Sequence, residues 1–241
     1  MSVSSGPAGI SNGLIFGIDA ANPKCYNGSG TSVTNMTSLS APATLLNGPG
    51  FSTDGIGSWT FDGSNDYISI DNSTRAFQWT PSGAGSNTIC FELWAKSSDT
   101  GGYFISKPWN GNGEYNILLT NTVWSIGNSS GGFALSFSAL STGNWEHIVA
   151  IATPTQSAVY RNGSLNIGFS NHGLTVNTPT SGDFNNVIPL AIMTLYPYGS
   201  FGDIPGFSIQ GNVGMLKVYN RLLSAAEIRQ SYTSMKSRFR V

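Results

Sequence analysis

The chain has 241 residues, a formal net charge of −1, 12% aromatic residues, 10% charged residues and 30 glycines. The aromatic content excludes global disorder, and sparse charge with abundant Gly, Ser, Thr and Asn describes a turn-rich β protein with a weakly charged surface. No window is apolar and long enough to cross a bilayer, and one all-β domain is the default at this length.

Residues 1–12, rich in Ser and Gly, are expected to form an arm. They carry neither the basic start nor the apolar core of a secretory signal, so synthesis in the cytoplasm, and work there or in a particle assembled there, is the expectation. Residues 13–222 are expected to form one sandwich that opens with a strand at Leu14–Ile18. Further strands are predicted at Trp59–Phe61, Tyr67–Ile70, Ile89–Ala95, Tyr103–Ser106, Tyr115–Leu119, Val123–Ile126, Phe133–Phe137, Trp145–Ala152, Ala158–Tyr160, Val187–Leu195 and Phe207–Val218. Gly- and Asn-bearing turns separate them, which argues for antiparallel pairing. Asn162-Gly163 is a type I′ hairpin signal, because both residues tolerate positive φ. In the last strand, Val213, Met215 and Lys217 alternate with Gly214, Leu216 and Val218.

Residues 223–241 are expected to form a closing helix and a basic tail. Ser224 followed three residues later by Glu227 fits a capping box, so the helix starts at Ala225. Ile228, Tyr232 and Met235 lie on one stripe and should rest against the body. From residue 217 onward six cations face Glu227 alone, a local charge of plus five. Cations at a helix C-terminus complement its dipole, or Arg229, Lys236, Arg238 and Arg240 dock an acidic partner. Nucleic acid is not the expected partner.

Five segments resemble, in order, the laminin-G-like modules of the concanavalin A-like lectin and glucanase superfamily. They are Phe61-Asp-Gly-Ser-Asn-Asp-Tyr-Ile-Ser-Ile70, Thr88-Ile-Cys-Phe-Glu-Leu-Trp-Ala-Lys96, Asn144-Trp-Glu-His-Ile-Val-Ala150, Val159-Tyr-Arg-Asn-Gly-Ser164 and Gly211 to Tyr232. The opening Gly13-Leu-Ile-Phe-Gly-Ile-Asp-Ala-Ala-Asn-Pro-Lys-Cys-Tyr26 and the closing Met235-Lys-Ser-Arg-Phe239 further resemble single-module virion proteins of tailed bacteriophages. The resemblance implies an all-β, antiparallel two-sheet jelly-roll sandwich with a short C-terminal helix. It further implies a non-enzymatic structural or recognition component of a phage particle, as a capsid decoration or a head, neck or tail appendage. Other virion proteins and further copies of this chain would be its partners, and the virion its location. A carbohydrate-binding adhesion module is the alternative, and a glycoside hydrolase stands third.

Hydrolases of this superfamily need two carboxylates flanking the scissile bond, and the Glu-x-Asp-x-x-Glu run that would place alternate acids on one strand face is absent. Glu92 is the one acid of its strand and shares a face with Cys90 and Trp94; pairing with Glu146 stays open. The two histidines, His147 and His172, have no accompanying nucleophile motif. Asp62 and Asp66 offer oxygens for calcium or form a plain turn. The acid that the family places in its last strand is missing, with Gly214 near its position. Cys25 and Cys90 read as packing residues, although a disulfide is compatible with the sequence. Glycan binding needs aromatic platforms beside polar groups. Two segments supply them: Trp109 beside Asn110 and Asn112, and Tyr198 with Phe201 beside Asp203. The alternative is that these aromatics pack under their own loops or into a subunit interface.

Overall fold

A computed structural model describes residues 9–80, 87–107, 116–128, 131–174, 188–195 and 207–241. Among them, two antiparallel eight-stranded sheets face each other. The first runs β14 (Ser164–Asn171), β13 (Gln156–Arg161), β12 (Trp145–Ala152), β7 (Ile89–Ser97), β16 (Gln210–Tyr219), β5 (Ser58–Asp62), β4 (Gly50–Ser52). Strand β1 (Leu14–Asp19) joins it by pairing with β16, so β1 and β5 share one edge of that strand and β7 holds the other. The second sheet runs β11 (Gly131–Ser136), β10 (Val123–Asn128), β9 (Asn116–Thr120), β8 (Tyr103–Lys107), β15 (Leu190–Ile192), β6 (Tyr67–Ile70), β3 (Ala43–Leu46), β2 (Ser32–Val33). This is the expected sandwich. No described helix is long and apolar enough to cross a membrane.

Period-two alternation places Phe91, Leu93, Ile148, Ala150, Leu216 and Val218 of the first sheet against Ile68, Ile70, Ile117, Leu119, Trp124 and Ile126 of the second, all buried. The tie between sheets is also polar: Trp124 Nε1 donates to the Ile151 carbonyl at 3.1 Å. The alternation expected for β16 fails at one point. A bulge at Gly214 puts Val213 in the core with Leu216 and Val218, while Met215, Lys217 and Tyr219 face outward. Gly214 is required for a second reason, because a Cβ there would sit 2.5 Å from the Phe239 ring. The missing acid of the family pattern is thus a seat for an aromatic ring.

The helix α1 (Ala225–Phe239) covers the outer face of the first sheet. Its capping box forms as expected, with Ser224 accepting from the Glu227 amide and the Glu227 carboxylate accepting from the Ser224 amide. Ile228 is buried with Cys90, Val149, Ile151, Tyr160, Tyr219 and Leu223. Further along the helix, Trp94 is stacked under Phe239 at 4.3 Å and under Tyr232 at 5.8 Å between ring centroids. At the hairpin, Asn162 (φ 50°) and Gly163 (φ 75°) adopt the positive φ that their sequence signals. Both cysteines are buried and free, Cys25 beside the Asp19 amide and Cys90 beneath the helix.

Candidate functional site

The sequence leaves open whether Glu92 and Glu146 form one carboxylate pair, and the sheet geometry answers that question. Glu92 points from β7 toward α1 and has no exposed surface. It accepts hydrogen bonds from Tyr219 Oη at 2.9 Å and from the Ser231 hydroxyl, lies 3.2 Å from His147 Nε2, and has Lys217 Nζ at 3.8 Å. Burial alone would raise its pKa; Lys217 and the His147 hydrogen bond outweigh burial and hold it at about 2. Glu146 belongs to the opposite face of the same sheet, the face that carries Ile148 and Ala150 into the core. It is held by Arg161, by Asn162 Nδ2 at 2.7 Å and by the Ser141 amide at 3.2 Å. Burial works against its ionisation, and Arg161 overrides that to keep its pKa low. A sheet therefore separates the two acids, and they cannot flank one bond.

The other residues singled out in the sequence disperse. Asp62 accepts from the Ser64 amide at 2.8 Å and Asp66 from the Asp62 amide at 3.3 Å, so both carboxylates brace their own turn. Burial, then the charge of Asp62, raises the pKa of Asp66. Among the described residues no group of three or more His, Cys, Asp or Glu side chains is placed to hold a metal ion. Arg229, Lys236 and Arg240 are exposed. Arg238 leaves the docking set: it donates to Asp19 at 2.9 Å, to the Gly55 carbonyl at 2.7 Å and to the Gly57 carbonyl at 3.2 Å, which makes it an internal clamp. Trp109, Asn110, Asn112, Tyr198, Phe201 and Asp203 lie outside the described residues.

The described residues that flank these two segments lie at different ends of the sandwich. Lys107 and Asn116 flank segment 108–115, and they leave the sandwich at the end where β10 turns to β11 and where β14 ends. His172, following β14, meets Phe133 of β11 and Trp79 there. The stems of 196–206 belong to the opposite end, where Phe207 stacks on Tyr103 at the start of β8. At the first end, a shallow groove of about 230 Å³ runs across β9, β10 and β11, lined by Asn116, Ser125, Gly127, Gly132 and Ala134 with parts of Ile126 and Phe133. Asn116, Gly127 and Gly132 form one cross-strand row, and Ser125 and Ala134 pair in the next. None of the lining residues is charged. Sequence reading missed this groove because its floor is made by Gly127 and Gly132, whose adjacency across β10 and β11, beside Asn116 of β9, appears only once register is fixed.

No curated protein matches the chain by sequence. Among solved structures, it is similar to domain 4 of a family 43 extracellular arabinanase from Geobacillus stearothermophilus, solved with arabinotriose. That likeness has a TM-score of 0.65 and 16% identity, over 91% of this chain and 98% of that domain. The botulinum neurotoxin serotype G binding domain is similar at a TM-score of 0.64 and 12% identity, over 93% of this chain and 51% of that one. Trypanosoma rangeli sialidase in complex with sialic acid is similar at 0.62 and 16% identity over 99% of this chain, which spans only 35% of the enzyme. At these identities the likeness is one of fold. The family profile described as the concanavalin A-like lectin/glucanases superfamily, of laminin-G type, matches residues 62–229, and the chain belongs to that superfamily.

Proposed function

We propose that the chain is a non-catalytic recognition module that binds neutral glycans at the end of the sandwich carrying the β9–β11 groove. The observation that carries this reading is the groove itself: an uncharged, glycine-floored depression with an amide and a hydroxyl on its walls, matching the apolar faces and polar edges of a sugar chain. Trp109, with Asn110 and Asn112, precedes Asn116 in the chain and is assigned the stacking platform. The likeness to an arabinanase domain solved with arabinotriose, over nearly that whole domain, supports the reading. So does the engagement of Glu92 and Glu146 in separate internal networks, which leaves neither for acid–base work.

A glycan array with wild type, Trp109→Ala and Gly132→Ala tests it. A Cβ at Gly132 meets its neighbours only at ordinary contact, 3.6 Å or more, so that variant should fold while filling the groove floor. Neutral glycans should bind wild type and bind both variants several-fold more weakly. Absence of binding by wild type, or turnover of a polysaccharide that disappears in Glu92→Gln, would overturn the reading.

The motifs at 13–26 and 235–239 support a place for this module on a tailed-bacteriophage particle, where glycan recognition would serve contact with the host surface. The exposed Arg229, Lys236 and Arg240 are assigned the docking to neighbouring virion proteins. Mass spectrometry of purified particles tests that location, and absence of the protein there removes it.

A further inference from the structure

His172 stands just past β14, where the edges of the two sheets come together. Its Nε2 lies 3.1 Å from the Thr153 carbonyl, and the Leu174 amide donates to its Nδ1 at 3.3 Å. These two contacts specify one tautomer, with the proton on Nε2 and a lone pair on Nδ1. The ring meets Trp79 edge to face at 5.3 Å and Phe133 at 5.8 Å. A residue following the edge strand of the first sheet therefore rests on β11, the edge strand of the second. Its own amide is tied to the Thr155 carbonyl at 3.1 Å, so the backbone is anchored while the ring does the bridging.

We propose that His172 is a pH-responsive fastener between the β14 and β11 edges, closed by the neutral imidazole and opened by the imidazolium. A second proton can only go to Nδ1. There it removes the lone pair that the Leu174 amide uses and leaves two N–H groups facing each other. It also places a positive charge on a largely buried ring; the Thr153 carbonyl favours that charge, but desolvation outweighs it, and among the described residues no acidic side chain is bonded to the ring. Burial already holds the pKa below the ordinary histidine value of 6.5. The sign follows: a depressed folded-state pKa means that the contribution to closure is complete above 6.5 and is lost as pH falls through the folded value. The inference goes beyond the glycan reading and needs no ligand.

The test is an NMR titration of the full chain that follows the His172 ring nitrogens together with exchange of the Leu174 amide, corrected for intrinsic rate. The ring should be the Nε2–H tautomer at neutral pH and titrate below 6.5. The opening constant at Leu174 should rise about tenfold per pH unit between that value and the folded pKa. His172→Gln, which keeps a donor toward Thr153 and does not titrate, should abolish this pH dependence. Titration at or above 6.5, unchanged Leu174 protection while the ring titrates, or the same pH dependence in His172→Gln would each overturn the proposal. The wild-type titration decides alone if the variant does not fold.

Discussion

Glu92 carries its charge into a place without water, and groups from three other elements answer it: His147 from β12, Tyr219 and Lys217 from β16, and Ser231 from α1. Removing the acid leaves several buried donors without an acceptor. Glu92→Ala should therefore cost about 3–5 kcal/mol in urea denaturation, the usual range for breaking a buried ionic network. Glu92→Gln, which keeps the shape and part of the hydrogen bonding, should cost less. The carboxyl's folded-state pKa of about 2 lies below its ordinary 4.5, so its contribution is complete above 4.5 and fades as the pH falls toward 2. The difference in denaturation midpoint between wild type and Glu92→Gln should shrink across that window, and a constant difference would contradict it. Strand alternation made the shared face of Cys90, Glu92 and Trp94 legible in the sequence. The partners were not legible, because Tyr219 and Ser231 lie 127 and 139 residues away and enter only once β16 and α1 have folded across β7.

At the scale of elements, α1 shows where local signals suffice. Ser224 and Glu227 set its start, and the Ile228, Tyr232 and Met235 stripe set its buried face. Burial outweighs capping here: Ile228→Ala should lower stability by about 2–5 kcal/mol and Ser224→Ala by about 1 kcal/mol, so the denaturant midpoint should fall further for the first. Gly214→Ala should displace Phe239 from its seat against Trp94, giving a lower melting temperature and altered tryptophan fluorescence. Unchanged fluorescence and melting would mean that the ring has another seat. Most longer strands were legible from apolar alternation and glycine-rich turns. Strands β2, β3 and β4 were not, because they are two to four residues long and carry too little pattern. Strand β14 escaped for a different reason: it is an edge strand with mostly exposed residues, and its pairing to β13 includes register shifts. The Gly214 bulge inverts faces in β16, which no period-two reading anticipates.

For the molecule as a whole, the first sheet is closed by β16, the last strand among the described residues. Strand β16 separates β7 from β1 and β5, and Arg238 then ties the end of α1 to Asp19, 219 residues earlier. The two-sheet plan was legible from strand recurrence and motif order, whereas this dependence of early strands on a late one is a property of topology. Removing residues 225–241 should bare Trp94, Cys90 and Glu92 and lower the denaturant midpoint sharply; an unchanged midpoint would make α1 an appended element. A further consequence concerns synthesis. A ribosome delivers β1, β5 and β7 long before β16, so the growing chain must hold two unclosed strand edges until β16 has been made. Closure of the first sheet thus waits for β16. A version ending at residue 209 should be cut rapidly by protease under conditions in which the full chain resists, and equal resistance would show that the sheet closes without its central strand.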